Sequence, residues 1–246
     1  MNTTNNTVLI TGGSAGIGFE MARQFSEKGN RVIITGRNED RLKAAAAQLS
    51  NVTAIRADAT NEADTLQLVA QLQKEFPALN IVINNAGSAY YYDLAASTNS
   101  FKNAQEEILT NYLSIIRLNE LLLPALQQQA TAAIVNVSSI VAFVPGARIP
   151  TYSASKAALH SYTQSLRVAL RSDRVSVFEL MPPLVHTNFS KDIGGENGIA
   201  PAQVAQDLVQ ALATDQTEIH VGMTADLYNA FLASPADALL MVNPVS

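Results

Sequence analysis

The chain alternates between short, uninterrupted apolar runs and longer stretches in which apolar residues recur at helical spacing. Runs such as VLI, IVI and AAIVNV lack polar alternation, so they predict strands that helices cover on both faces. The predicted strands are residues 8–10, 31–35, 53–56, 81–84, 133–137, 175–180 and 218–221. The predicted helices are residues 16–28, 39–49, 62–75, 101–129, 152–171 and 201–213. This alternation predicts an α/β doubly wound Rossmann-type fold, with a parallel sheet of about seven strands.

We expect one domain over residues 1–246, because no repeat, linker or low-complexity block divides the sequence. The domain begins with a short polar tail and ends with a C-terminal helix, predicted from the apolar spacing over residues 225–242. Core packing or a subunit contact is the simpler interpretation of that helix. The alternatives are a lid over a substrate and a contact with a membrane surface, and the absence of a basic cluster weakens the second.

Composition excludes several classes of site and partner. The sequence has no cysteine, which rules out disulfides, thiolate nucleophiles and iron–sulfur clusters, and its three histidines show no metal-ligand spacing, so we expect no metal site. A net charge of −5 argues against nucleic-acid binding. No apolar run is long enough to span a membrane, and the polar N-terminus does not have the pattern of a signal peptide. The default expectation is a cytoplasmic protein.

The first predicted strand runs into a glycine-rich turn that opens an amphipathic helix. The turn reads TGGSAGIG and places glycines at Gly12, Gly16 and Gly18. Glycine lets the backbone approach a pyrophosphate closely, and the helix N-terminus offers free N–H groups and the positive end of its dipole. A plain strand–helix turn is the alternative. Because the flanking patterns fit on both sides, we expect the turn to bind a dinucleotide.

The end of the second predicted strand bears on the choice of cofactor. In a dinucleotide-binding fold, an acidic residue here would bond to the 2′-hydroxyl of the adenosine ribose and favour NAD(H). The strand ends instead in Gly36 and Arg37, which supply a guanidinium and no carboxylate. A guanidinium suits a 2′-phosphate, so NADP(H) is favoured and NAD(H) remains the alternative. The alternative interpretation of Arg37 is a solvated charge at a strand end.

Tyr152 and Lys156 stand four residues apart at the start of a predicted helix and therefore share one face. A phenol has a pKa of about 10, and a nearby ammonium lowers it toward general acid–base use. Ser139, at the end of a buried strand, has a hydroxyl that could bond to a substrate carbonyl oxygen within reach of the phenol. Ser138 is adjacent, and chemistry alone does not choose between the two serines.

Taken together, these motifs resemble those of the short-chain dehydrogenase/reductase family, in the family's own order and over about residues 7–223. The residues that carry the resemblance are Thr11, Gly12, Gly16, Gly18, Asp58, Asn84, Asn85, Ala86, Gly87, Asn111, Ser139, Tyr152 and Lys156. The segments TGGSAGIG, TGRN and PPLVHT are especially similar to a bacterial subgroup of DltE-like oxidoreductases.

The resemblance implies a role for each matching position. The implied catalytic residues are Asn111, Ser139, Tyr152 and Lys156. The implied cofactor contacts are Gly12, Ser14, Gly16, Ile17, Gly18, Arg37, Asp58, Ala59, Asn85, Ala86, Gly87, Tyr152, Lys156, Val185 and Thr187. Among the catalytic set, Tyr152 would be the acid/base, Lys156 would hold the nicotinamide ribose and lower the phenol pKa, and Asn111 would support a water relay. Pro183 departs from the family, which has glycine there, and puts the local loop geometry in doubt.

The resulting expectation is an NADP(H)-dependent oxidoreductase that moves hydride between the nicotinamide and a small-molecule carbonyl or secondary alcohol. The alternatives are the same chemistry with NAD(H) and a non-catalytic protein that senses a dinucleotide. The resemblance also implies a homodimer or homotetramer that pairs through helices 101–129 and 152–171. Three consecutive tyrosines at residues 90–92 follow a strand end, where they could wall a substrate pocket or serve in packing.

Overall fold

Seven short segments form one parallel sheet in a computed structural model that describes residues 1–243. The strands are β1 (Thr7–Thr11), β2 (Arg31–Gly36), β3 (Val52–Arg56), β4 (Leu79–Asn84), β5 (Ala132–Val137), β6 (Val175–Met181) and β7 (Glu218–His220). Each strand overlaps a predicted one, so the predicted doubly wound fold is confirmed. The strand order is β3-β2-β1-β4-β5-β6-β7. The chain thus winds outward from β1 in one direction, then returns to β4 and winds in the other, which opens a crevice at the carboxyl ends of β1 and β4.

Helices cover both faces of the sheet. They are α1 (Gly16–Glu27), α2 (Glu39–Ala46), α3 (Glu62–Glu75), α4 (Ser100–Ile108), α5 (Ser114–Leu126), α6 (Pro150–Ala169), α7 (Pro201–Thr214), α8 (Thr224–Ala233) and α9 (Pro235–Val242). Asparagine side chains start two of them: Asn38 accepts the N–H of Arg41 in α2, and Asn61 accepts that of Asp64 in α3. These caps satisfy backbone donors that the first turn of a helix leaves free.

Alternate residues of each central strand enter two separate apolar layers. Ile10 of β1 packs in the layer that includes α1 and α7, whereas Leu9 packs in the layer that includes α3 and α5. Both side chains are fully buried. Because successive side chains on a strand point to opposite faces, two helical layers make every position of a central strand a core position.

The predicted helix 101–129 is not continuous in the structure. A π-helical segment, Leu109–Leu113, separates α4 from α5. The buried Asn111 lies in this segment, where its side chain donates to Ser88 O at 2.8 Å and to Ser155 Oγ at 2.9 Å. Single π-helical turns of this kind often occur at functional sites. Apolar spacing predicted the helix, but it could not show the extra residue that the π segment accommodates.

The predicted C-terminal helix is likewise two helices, α8 and α9, which meet at Ser234. The Ser234 side chain accepts the N–H of Asp237, and Pro235 is the first residue of α9, so the chain starts a new helix here. Leu227 of α8 and Ala238 of α9 are buried in a small cluster with Val144. Within residues 1–243, none of the helices combines the length and hydropathy that a membrane crossing requires.

A row of buried polar residues crosses the sheet just below its carboxyl edge. Asn84 pairs in register with Asn136 on β5, and Asn136 pairs with Glu179 on β6. Asn84 Nδ2 donates to Asn136 Oδ1 at 2.8 Å and to Asn119 Oδ1 of α5 at 2.9 Å. Buried polar groups of this kind are retained where they bond to one another, so the row ties β4, β5 and α5 together below the crevice.

Candidate active site

A cleft of about 1460 Å³ lies along the carboxyl edge of the sheet. It is lined by the glycine-rich turn, the segment after β4, the ends of β5 and β6, and the start of α6. The structure brings twelve of the predicted site residues into its lining: Gly12, Gly16, Ile17, Gly18, Asn85, Ala86, Gly87, Ser139, Tyr152, Lys156, Val185 and Thr187. Residues from five separate parts of the chain therefore meet at one surface.

The glycine-rich turn has the geometry that only glycine provides. Gly12 and Gly16 have φ of +69° and +56°, in the left-handed region. A Cβ on Gly18 would lie 2.3 Å from Gly12 O, so the helix can pack this closely on the turn only without a side chain. The first turn of α1 has neither a side-chain cap nor an acidic residue. Its N–H groups are free to bind an anion, and the turn therefore fits the diphosphate of a dinucleotide.

Thr11 joins this turn to the segment that follows β4. Its Oγ1 accepts the N–H groups of both Asn85 and Ala86 at 3.0 Å. In return, Asn85 Nδ2 donates to Thr11 O at 2.9 Å. These bonds fix the two sides of the β1–β4 crevice relative to each other, at the point where the strand order reverses.

The structure distinguishes the two adjacent serines. Ser138 Oγ donates to the buried carboxylate of Glu179 at 2.5 Å, away from the cleft centre. Ser139 has extended backbone, and its Oγ accepts the N–H of Val141 at 3.3 Å. Its hydroxyl lies near enough to the Tyr152 phenol to act against the rise in the phenol pKa, so Ser139 is the serine of the pair that neighbours Tyr152.

The Lys156 ammonium lies 5.6 Å from the centroid of the Tyr152 ring and donates to Val137 O at 2.8 Å. The expectation that Lys156 lowers the phenol pKa is not met in this structure. Burial raises the pKa of Tyr152 well above its usual range and outweighs the hydrogen bond from Ser139, which lowers it. Burial also lowers the pKa of Lys156, to about 8.

Asn111 lies beneath the cleft rather than in its wall, and it is fully buried. Its Oδ1 accepts the N–H of Ser88 at 2.8 Å. A Cβ on Gly87 would stand 3.2 Å from Asn111 Oδ1 and 3.9 Å from Lys156 Nζ, so all three groups converge at Gly87. The π-helical turn thus places the Asn111 amide against Gly87, which the Lys156 ammonium also approaches.

The structure places the remaining predicted contacts around the cleft rather than in its lining. Ser14 is half-buried in the glycine-rich turn, and Arg37 is exposed at the end of β2. Asp58 Oδ1 accepts the N–H and the hydroxyl of Thr60, in the turn after β3. Ala59 lines a separate cavity of about 20 Å³ beside β1 and β4.

The loop after β6 keeps a defined shape despite Pro183. Two backbone bonds hold it, from Ile199 N to Leu184 O at 3.0 Å and from His186 N to Ile199 O at 2.8 Å. They hold the loop that carries Val185 and Thr187 into the cleft lining, where Thr187 lies beside the glycine-rich turn: a Cβ on Gly16 would stand 3.2 Å from Thr187 Cγ2. The N–H that proline lacks is therefore not needed to fix this loop.

Aromatic residues from two segments form the outer part of the cleft. Of the three consecutive tyrosines, Tyr91 lines the cleft, and the Arg148 guanidinium lies 4.9 Å from its ring centroid. Tyr90 and Tyr92 instead bond to α4 and α6, through Glu106 and Thr151. Phe189 stands 6.0 Å from the Tyr152 ring, measured between ring centroids.

Three comparisons with known proteins agree with this geometry. The sequence pattern of the short chain dehydrogenase family matches residues 6–198. The uncharacterized oxidoreductase DltE of Bacillus subtilis is 42% identical over 224 residues, which is 89% of each chain. The chain therefore belongs to the short chain dehydrogenase family. It is an NAD(P)-dependent oxidoreductase of that family, and the predicted similarity to DltE is confirmed.

Two solved short-chain dehydrogenases show the same architecture. The enzyme from Burkholderia cenocepacia J2315, in complex with NADP, superposes with a TM-score of 0.88 at 25% identity over 100% of both chains. The enzyme from Sphingobium yanoikuyae, in complex with NADPH, has a TM-score of 0.80 at 26% identity and covers 94% of this chain and 95% of its own.

Several residues of the dehydrogenase site were missed by the sequence analysis. Arg41 of α2 lines the cleft near the end of β2. Asn243 Nδ2 donates to Pro145 O at 2.9 Å, and its Oδ1 accepts the N–H of Ala147, so the C-terminal segment supports the cleft wall. Glu107 is 0% exposed, and its Oε1 accepts the N–H of Tyr90 at 2.7 Å. The sequence contained a signal for Glu107: it precedes Asn111 by four residues, and residues at this spacing lie on the same face of a helix.

Thr11→Val tests the bonds that join the two sides of the crevice. Valine keeps the shape of threonine but removes the oxygen that accepts two N–H groups, so we expect the free energy of unfolding to fall by about 1–3 kcal/mol. Urea denaturation followed by circular dichroism measures this. Thr11→Ser keeps the hydroxyl and should lose less than half as much. Equal stability of Thr11→Val and the native chain would contradict this role.

Proposed function

We propose that this short-chain dehydrogenase uses NADP(H) to interconvert a small-molecule carbonyl compound and the corresponding secondary alcohol. The observation that carries the proposal is the meeting of Ser139, Tyr152 and Lys156 in the same cleft as the glycine-rich turn. A bound nicotinamide supplies the hydride, and the protein supplies position and proton transfer.

The residues around the turn would bind the dinucleotide. The free N–H groups of α1 would hold the diphosphate, and Asn85, Ala86 and Gly87 would form the floor beneath it. Val185 and Thr187, which also line the cleft, would contact the nicotinamide end. Asp58 and Ala59 would meet the adenine beyond the end of β3.

Tyr152 would exchange a proton with the substrate oxygen. Because burial raises the pKa of Tyr152, the phenol keeps its proton at neutral pH and is suited to donate it to the oxygen of a carbonyl being reduced. Ser139 would bond to the same oxygen and stabilise the charge that develops on it. Lys156 would hold the nicotinamide ribose, with Asn111 beside it.

The outer cleft favours a substrate with an apolar or aromatic body. Tyr91, Phe189 and Ile149 line this part, and such side chains can bury apolar surface of a substrate whose polar group lies at Tyr152.

Tyr152→Phe tests the proposed acid. The variant keeps the ring but has no proton to give, so kcat/KM should fall by about 10²–10⁴-fold, while NADPH binding changes little. NADPH oxidation across a panel of ketones and aldehydes, with NADPH fluorescence as the binding assay, measures both quantities. Undiminished turnover would contradict the mechanism.

The serine pair supplies a matched control in the same assay. Ser139→Ala should cost about 10²-fold in kcat, whereas Ser138→Ala should cost far less because its hydroxyl faces Glu179. If the native chain binds NADPH tightly yet reduces no carbonyl, the alternative of a dinucleotide-sensing protein gains support instead.

The proposed preference for NADP(H) rests on two arginines. Arg37 follows the end of β2, and Arg41 lines the cleft from the first turn of α2. Two guanidinium groups there suit a 2′-phosphate, and at this edge neither β2 nor its following turn offers a carboxylate before Glu39. Solved members of the fold were crystallised with NAD as well as with NADP or NADPH, so the preference rests on the two arginines of this chain.

Arg37→Asp should move the preference toward NAD(H). We expect the ratio of kcat/KM for NADPH to that for NADH to fall on the order of 10–100-fold, because a charge-assisted bond to phosphate is lost and a repulsive charge is introduced. Arg41→Ala should lower the ratio less. Lys43→Ala, on the same helix and paired with Glu39, is the control. An unchanged ratio in Arg37→Asp would show that Arg37 does not bind the phosphate.

A further inference from the structure

Glu179 is a buried carboxylate that the proposed mechanism does not use. It lies in β6 and is 0% exposed. Two side chains bond to it: Ser138 Oγ at 2.5 Å and His160 Nδ1 at 2.9 Å. A buried carboxylate is costly unless charged or donating groups compensate it, so its place beside an active site calls for a physical reason.

Both partners of Glu179 stand next to groups of the active site. Ser138 directly precedes Ser139. His160 follows Lys156 by one turn of α6, so the two side chains share a helix face. Lys156 Nζ donates to Val137 O, and Val137 pairs with Leu180, the residue after Glu179. The ammonium and the carboxylate therefore bond to consecutive residues of the chain, Val137 and Ser138.

Lys156 needs a compensating charge. The residue is 3% exposed, and burial lowers its pKa to about 8. The negative charge of Glu179 acts against that shift and favours the ammonium. Tyr152, whose ring centroid lies 5.6 Å from the ammonium, does not supply that charge, because burial and the charge of the buried Glu107 both raise the phenol pKa and keep it neutral. An uncharged Lys156 could not bind the ribose as an ammonium donor.

We propose that Glu179 is a positioning residue whose carboxylate holds Lys156 in its charged form, with Ser138 and His160 fixing that carboxylate in place. The functional consequence rests on the proposed function, because it concerns the lysine assigned to the nicotinamide ribose.

His160 makes the effect depend on pH. The hydrogen bond to Glu179 raises the pKa of His160, and the charges of Glu218 and Arg167 act on it in opposite directions. His220, on the neighbouring strand, has a pKa lowered by burial and adds no charge at neutral pH. At a pH below the pKa of His160, the protonated imidazole neutralises Glu179. At a pH above the pKa of His160, the carboxylate is not neutralised, and it supports the charged form of Lys156 in the pH range where the ammonium would otherwise lose its proton.

The direct test is the titration of Lys156 itself. The chain has six lysines, so protein labelled with ¹³C at lysine Cε gives few signals, and the signal lost in Lys156→Met identifies Lys156. We expect its midpoint near pH 8 in the native chain. In Glu179→Gln the midpoint should fall by about one pH unit, because an opposite charge is removed.

Two variants separate charge from packing. Ser138→Ala removes a bond to Glu179 but keeps its charge, so it should shift the midpoint less than half as far. Glu218→Gln is the matched control, because Glu218 pairs with Glu179 from the neighbouring strand β7 and its side chain bonds to Arg167. This variant should leave the titration midpoint of Lys156 unchanged. Circular dichroism confirms folding, and Glu179→Met removes the charge in a second way if glutamine is not tolerated.

An unchanged Lys156 midpoint in both folded Glu179 variants would overturn the proposal. The activity readout is the dependence of kcat/KM on pH, measured with NADPH. In Glu179→Gln the alkaline limb of this profile should move to lower pH, as the titration midpoint of Lys156 does. A uniform loss of activity at every pH, without a shift in the titration, would indicate a structural role and also overturn it. If the native chain has no reductase activity, the proposed function fails, while the titration still tests Glu179.

Discussion

The parallel register of β1, β4, β5 and β6 is the constraint on which the site depends. Because all four strands run the same way, their carboxyl ends reach one edge of the sheet. Each strand then delivers a different group to that edge: the glycine-rich turn, the Asn85 segment, Ser139 and the loop with Val185. Helix α6 completes the set from above with Tyr152 and Lys156. Residues far apart in the chain thereby become neighbours.

The row of buried polar residues below this edge makes the arrangement rigid, although removing these polar groups from water costs free energy. Asn84, Asn136 and Glu179 lie in register across three strands and are buried. Hydrogen bonds to one another and to α5 and α6 compensate most of these groups, and a satisfied buried network specifies one geometry. The same layer contains Glu179, whose negative charge favours the charged form of Lys156. Structural support and electrostatic control therefore lie in one set of side chains rather than in separate parts of the molecule.

Much of this could be predicted from sequence because it depends on local patterns. The apolar runs predicted every strand, and the glycine spacing predicted the turn between β1 and α1. Three features were beyond such patterns. The π-helical turn at Asn111 contains one residue more than a regular helical turn, which apolar spacing does not reveal. The supporting role of Asn243 depends on a hydrogen bond to a residue 98 positions away. The raised pKa of Tyr152 depends on its burial in the folded chain. The family resemblance already implied Ser139 rather than Ser138, and the bond from Ser138 to Glu179 supplies a physical reason that the residue types alone did not give.

The central claim is that the cleft holds a nicotinamide ring against Tyr152 and Ser139. A crystal structure of the native chain with NADPH tests it most directly. We predict the diphosphate over the N-terminus of α1 and the nicotinamide ring beside Tyr152, with the ribose hydroxyls bonded to Lys156. A dinucleotide bound elsewhere, or one whose nicotinamide ring points away from Tyr152 and Ser139, would contradict it.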